Sequence, residues 1–119
     1  MKRKLSRKEL AKLQLLWEDL LKRAGATESE HFMYPYAVQT RLGVMRLDSH
    51  FTALAPAIFC RFDDVEAACA TLNPRKEHMS WLNPYSGKWN HHYPVEWTPE
   101  EIIADFTKKL NMVMGGTNA

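Results

Sequence analysis

Each end of this 119-residue chain carries an amphipathic helix with a capping box, and two apolar stripes of that length need a surface to bury against. At the first end Ser6 and Glu9 stand at the N-cap and N3 positions, with Leu5 and Leu10 as a hydrophobic staple, so the helix starts at about Arg7. Leu10, Leu13, Trp17, Leu20 and Ala24, joined by Leu16 and Leu21, recur at helical spacing, and Gly25 is the natural stop. At the other end Thr98-Pro99-Glu100-Glu101 gives an N-cap, a proline at N1 and a glutamate at N3, and Trp97 with Ile102 forms a second staple. Ile102, Ile103, Phe106, Leu110, Val113 and Met114 make its apolar stripe, and Gly115-Gly116 closes it.

The middle of the chain must supply the surface. Residues 26–36 hold no sustained period, and Tyr34-Pro35-Tyr36 disfavours helix, so this reads as an irregular crossing with Phe32, Tyr34 and Tyr36 packed. From Ala37 to Leu47 the pattern nears alternation, with Val38, Thr40 and Leu42 on one parity and Met45 and Leu47 on the other. A bulge at Gly43 reconciles the two, giving one bent strand. Ala57 to Phe62 is short, apolar and rich in β-formers, which predicts a β-hairpin with the preceding strand. Asp63 and Glu66 then cap a short helix that Asn73-Pro74 ends. Residues 75–97 show no clear period, and the best candidate for a further strand is Tyr93 to Trp97, held to an edge by Pro94. The expected fold is α+β: a β-hairpin or small antiparallel sheet packed against two longer amphipathic helices, with one short helix and one long ordered loop. The alternative is an all-helical domain in which 37–47 is not a strand.

One domain spanning residues 1–119 fits this length, with 1–5 as a basic N-terminal arm and 115–119 as a frayed tail. Cys60 and Cys69 lie in apolar runs and read as free thiols in a reducing compartment, hence the cytoplasm. No stretch approaches the roughly 18 apolar residues of a membrane span. The first twelve residues sum to +5 and the remainder to −3, so the basic arm could lie along nucleic acid or simply keep a helix start solvated.

The segment Asn83-Pro84-Tyr85-Ser86-Gly87-Lys88-Trp89-Asn90-His91-His92 is too polar for a core element and too aromatic for a linker. Its Asn-Pro and Ser-Gly pairs are turn chemistry, which makes it a shaped loop and the candidate binding site. Tyr85 and Trp89 are expected to anchor it by burying their rings, leaving Lys88, Asn90, His91 and His92 to face a partner. Arg61, with Arg41 and Arg46, adds positive charge on an outer sheet face. With the arm and the loop aromatics, these arginines support nucleic-acid binding as an alternative to a protein partner.

Catalysis finds little support. His91 and His92, adjacent on an extended segment, point to opposite sides and do not chelate one ion, and the cysteines lack CxxC spacing. No metal or cofactor is expected. Asp63 and Asp64 sit where a helix cap belongs, and neither a nucleophile elbow nor a phosphate-cradling glycine loop occurs. Trp89 to Pro94 is similar to the His-rich opening of HNH-type nucleases, a third reading through His91 or His92, but no Asn and His recur downstream at that unit's spacing.

Taken together, Thr40-Arg41-Leu42-Gly43-Val44-Met45-Arg46-Leu47, Phe59-Cys60-Arg61-Phe62-Asp63-Asp64 and Asn83 to Asn90 resemble a group of short proteins from bacterial phages, prophages and plasmids. The similarity covers roughly residues 36–93 and carries no established activity. It implies a non-catalytic accessory protein of a mobile element in the bacterial cytoplasm, acting by binding a host or phage protein, host defences included.

Overall fold

A computed structural model describes residues 4–72 and 79–115 of the chain. The elements run α1 (Arg7–Arg23), β1 (Thr27–Glu28), β2 (Tyr36–Thr40), β3 (Gly43–His50), β4 (Ala57–Phe62), α2 (Val65–Thr71), β5 (Ser80–Leu82), β6 (Lys88–His92) and α3 (Pro99–Val113). The strands form one six-stranded sheet, ordered β1-β2-β3-β4-β6-β5 and antiparallel at every pairing. The α+β architecture is as the sequence predicts, with a broader sheet than a hairpin.

Both terminal helices form for the reasons their sequences give. Ser6 and Glu9 close a reciprocal capping box on α1, and Thr98 and Glu101 do the same on α3. Each lays its apolar stripe on one side of the sheet: Leu13, Trp17, Leu20 and Leu21 from α1, and Ile102, Ile103, Phe106, Leu110 and Val113 from α3. Trp17 joins the helices, its ring 5.7 Å from Phe106. The sheet answers with Val38, Met45, Leu47, Ile58, Cys60, Phe62, Leu82 and Trp89, all buried. Leu5 joins the same core and its N–H donates to the Ala53 carbonyl at 2.9 Å, so the expected arm at 1–5 is tied down at its last residue.

Four local expectations need correction. Gly43 is not a bulge in one strand: β2 and β3 form a hairpin in which Thr40 pairs with Gly43. The Thr40 hydroxyl accepts from the Leu42 N–H at 3.0 Å and donates to the Gly43 carbonyl at 2.7 Å, and Gly43 takes φ +99. The short helix is capped by Asp64, whose carboxylate accepts from the Ala67 N–H, while Asp63 pairs with Arg46. Residues Tyr93 to Trp97 form no strand; the strands of that region are β5 and β6. Arg41 is not on the outer sheet face but on the β2–β3 turn, where its guanidinium donates to the Met112 carbonyl and its N–H to that of Val113, capping α3. The Asn73-Pro74 stop, His78, Gly116 and most of the expected tail lie outside the described residues.

Two glycines test the backbone. Gly25 (φ +73) has open space where a Cβ would stand, whereas at Gly87 (φ +78) a Cβ would lie 2.7 Å from the Phe62 carbonyl oxygen. Gly25→Ala should therefore cost about 1–2 kcal/mol, the usual left-handed penalty. Gly87→Ala should cost clearly more, because a backbone atom cannot step aside. Denaturant midpoints of the two variants check the ranking.

Candidate functional site

Period-two alternation sorts the strand residues onto two sides. On β4, Ile58, Cys60 and Phe62 face the helices, so Phe59 and Arg61 face away from them. Cross-strand pairing carries the same side outward: Arg46 stands opposite Arg61, Asp48 opposite Phe59, Lys88 opposite Arg61, Asn90 opposite Phe59, and Trp81 opposite Asn90. Among the described residues α1 and α3 both pack on the other side, leaving this one open. The crossing between β1 and β2 folds over part of it, where Tyr34 is buried and Met33 joins Tyr34, Asp48, His50, Phe59, Lys88 and Asn90 around a cleft of about 240 Å³.

The cleft has an aromatic floor and polar walls. The Phe59 ring meets His50 and His92 edge to face, with centroids 5.0 and 5.8 Å apart. Asp48 accepts from the Ser49 N–H at 2.8 Å and lies 3.3 Å from the His50 ring nitrogen. Asn90 Oδ1 is buried without a hydrogen-bond partner among the described residues. Burial raises the Tyr34 phenol above its ordinary value, and Arg61 nearby pulls in the other direction. The His31 ring stacks on Phe32 at 5.3 Å and lies 3.3 Å from the Arg61 guanidinium.

The expected decapeptide site divides into two parts. Asn83 to Gly87 is the turn that its composition predicts: Asn83 Oδ1 accepts from the N–H groups of Tyr85 and Ser86 at 2.8 and 3.3 Å, and Gly87 N–H donates to the Asn83 carbonyl at 2.9 Å. Lys88 to His92 is a strand and not a loop. Trp89 is buried as expected, whereas Tyr85 is 93% exposed and pins nothing. His91, expected to face a partner, is fully buried, and Lys88, Asn90, His92 and Arg61 share the open side. Sequence reasoning missed Trp81, Met33 and Phe59 as members of this surface. Trp81 lies in a three-residue strand too short to show alternation.

His91 sits between the sheet and α3, its ring 4.6 Å from Trp89 and 5.4 Å from Phe106. Its Nδ1 shares a 2.7 Å hydrogen bond with the Ser80 hydroxyl, and Nε2 has no partner among the described residues. Such a position keeps it out of reach of a substrate phosphate, which removes the geometric basis of the nuclease reading at this residue. Desolvation, helped by Lys109, lowers its pKa to about 3. Among the described residues no group of three or more His, Cys, Asp or Glu gathers as a metal site would require, and no helix is long and apolar enough to cross a membrane. Burial also holds the Cys60 thiol well above its ordinary range, so it is inert.

No protein-family model, curated protein or solved structure matches the chain.

Two outcomes follow for this region. Trp89→Ala should cost about 3–5 kcal/mol as a buried aromatic truncation, and Tyr85→Ala should stay within about 0.5 kcal/mol, both read from denaturant midpoints. The folded-state pKa of His91 lies below the ordinary value of 6.5, so the unfolded chain binds the extra proton first. The His91 contribution is therefore complete above pH 6.5 and is lost as pH falls toward 3. Replacing His91 by Leu should flatten the pH dependence of stability over that window, by up to about 1.4 kcal/mol per pH unit. An unchanged slope would show that His91 remains protonatable in the fold.

Proposed function

We propose that this protein is a non-catalytic binding module whose recognition surface is the open side of the sheet together with the 29–34 crossing, and that its partner is a protein. The observation that carries the reading is the grouping of exposed apolar side chains with that side: Phe32 at 92%, Met33 at 55% and Trp81 at 41% exposure, with Tyr85 on the β5–β6 turn. A folded chain that leaves large rings and a methionine in water beside arginine has the composition of an interface core. Within the expected site, Tyr85, Lys88, Asn90, His92 and Arg61 keep their binding roles, Trp89 holds β6 in place, and His91 is reassigned to the core.

The resemblance of residues 36–93 to phage, prophage and plasmid proteins supports reading this module as an accessory of a mobile element in the bacterial cytoplasm. Its target there is a host or phage protein, with a host defence component as one form of it. Nucleic acid is the second reading, favoured by Arg61 and Lys88 lying beside rings on one side of the sheet. Weighing against it, Lys4, Arg7 and Lys8 start the helix that packs on the opposite side, so the two sets of cations do not form one track.

Affinity capture from nuclease-treated bacterial lysate tests the reading. A partner retained by the parent protein should be lost by a Phe32→Ser/Trp81→Ala variant and kept by Leu15→Ser, a change at an exposed leucine of α1. Equal capture by all three would put the surface elsewhere. Binding to a single-stranded oligonucleotide that weakens steeply with salt would favour the second reading.

A further inference from the structure

Two hydrogen-bond donors face each other on the open side of the sheet. The Met33 backbone N–H donates to Nδ1 of His31 at 3.1 Å. A backbone N–H can only donate, so Nδ1 bears the lone pair and the neutral ring carries its proton on Nε2. That Nε2 lies 3.3 Å from Nη1 of Arg61. A guanidinium nitrogen also only donates, so the contact opposes two N–H groups instead of pairing them. Lys88 stands directly across the strand pair from Arg61 on the same side. Among the described residues no carboxylate forms an ion pair with Arg61 or Lys88, whereas Arg46 on the next strand is committed to Asp63.

We infer that His31 Nε2–H, Arg61 and Lys88 form a receptor for a single carboxylate, presented by an acidic side chain on a segment of the partner protein. The inference rests on the reading of the open side as the binding surface. An oxygen placed between the two donors converts their opposition into two charge-assisted hydrogen bonds. The adjoining cleft of about 240 Å³, floored by Phe59 and walled by Met33, takes the apolar side chain next to that acidic residue. Charge selects a carboxylate over a phosphate chain. With Arg46 paired to Asp63, Arg61 and Lys88 against Asp48 leave the receptor and its cleft with a net charge of only +1. One carboxylate balances that charge, while a nucleic-acid strand engages several phosphates at once and needs a field to match. Asp48 inside the cleft adds repulsion against a second anionic group.

The test uses two short capped peptides, Ala-Glu-Leu and Ala-Gln-Leu, titrated into isotope-labelled protein and followed by NMR. The glutamate peptide should shift the His31, Met33, Arg61 and Lys88 signals saturably, and the glutamine peptide should not. Arg61→Gln should weaken the glutamate peptide by about ten- to a hundredfold, the loss of a hydrogen bond to a charged group. His31→Phe, which keeps a ring and removes the donor, should weaken it in the same direction, with the melting midpoint of each variant serving as its own fold control. Peptides that act alike, or an Arg61→Gln variant that binds as well as the parent, would overturn the carboxylate receptor. A short oligothymidylate that shifts the same signals at lower concentration than the glutamate peptide would overturn it in favour of a phosphate ligand. Partner capture separates this inference from its basis. Capture kept by Arg61→Gln and lost by Phe32→Ser/Trp81→Ala sinks the receptor and leaves the surface standing, whereas capture kept by both sinks the surface itself.

Discussion

The architecture depends on the alternation of β4. Ile58, Cys60 and Phe62 are essentially without exposure, and they are the floor on which α1 and α3 close. The same pleat turns Phe59 and Arg61 to the other side, where they become the floor and one wall of the open surface. A slip of one residue in β4 would exchange these sets, placing Arg61 in the core and three apolar side chains in water. The burial that fixes the fold thus also fixes which side chains face the open side, through one register. β3 and β6 flank β4 and inherit its parity, which is why Asp48 from one side and Lys88 and Asn90 from the other arrive beside Phe59.

The core holds a buried polar pair. His91 and Ser80 are both buried and hydrogen-bonded to each other beneath α3, with Tyr93 reaching Asp105 at 2.9 Å nearby. A neutral imidazole with one satisfied nitrogen costs more to bury than a leucine of similar volume, because its second nitrogen forfeits a hydrogen bond to water. What it contributes is register, since only the pairing of Ser80 with His91 brings these two groups together. β5 is three residues long and has little apolar burial with which to choose its own alignment.

The two sides of the sheet divide the protein's work. On the helical side rings pack against rings, and the ion pair of Lys12 with Glu100 ties α1 to α3 at the surface, a contact that stabilises little by itself. On the open side the rings are left partly wet, and the charged groups are left without mutual neutralisation at Arg61 and Lys88. Stability alone would favour covering Phe32 and Trp81 or replacing them by polar residues. The proposed partner surface accounts for their presence.

Local chemistry made much of this legible in the sequence. Capping boxes and stripes at 3.6-residue spacing set α1 and α3 to within a residue, and the turn at Asn83 to Gly87 followed from side chains that bond their own backbone. The α+β class followed from the two stripes needing a sheet. Tertiary structure alone decided the rest, for a physical reason particular to each residue. β6 reads as Lys-Trp-Asn-His-His, where a single apolar residue hides the period of two, and only pairing with β4 shows that His91 lies inward and Asn90 outward. Gly43 breaks the parity of its stretch equally well as a bulge or as a hairpin turn, and the choice rests on whether β2 finds β3 as its partner. Tyr85 carries a large ring as Trp89 does, yet it stands on a turn whose backbone bonds are satisfied without that ring, so nothing draws it inward. The meeting of His31 with Arg61, thirty residues apart, is a product of the crossing folding over the sheet, and no local pattern announces it.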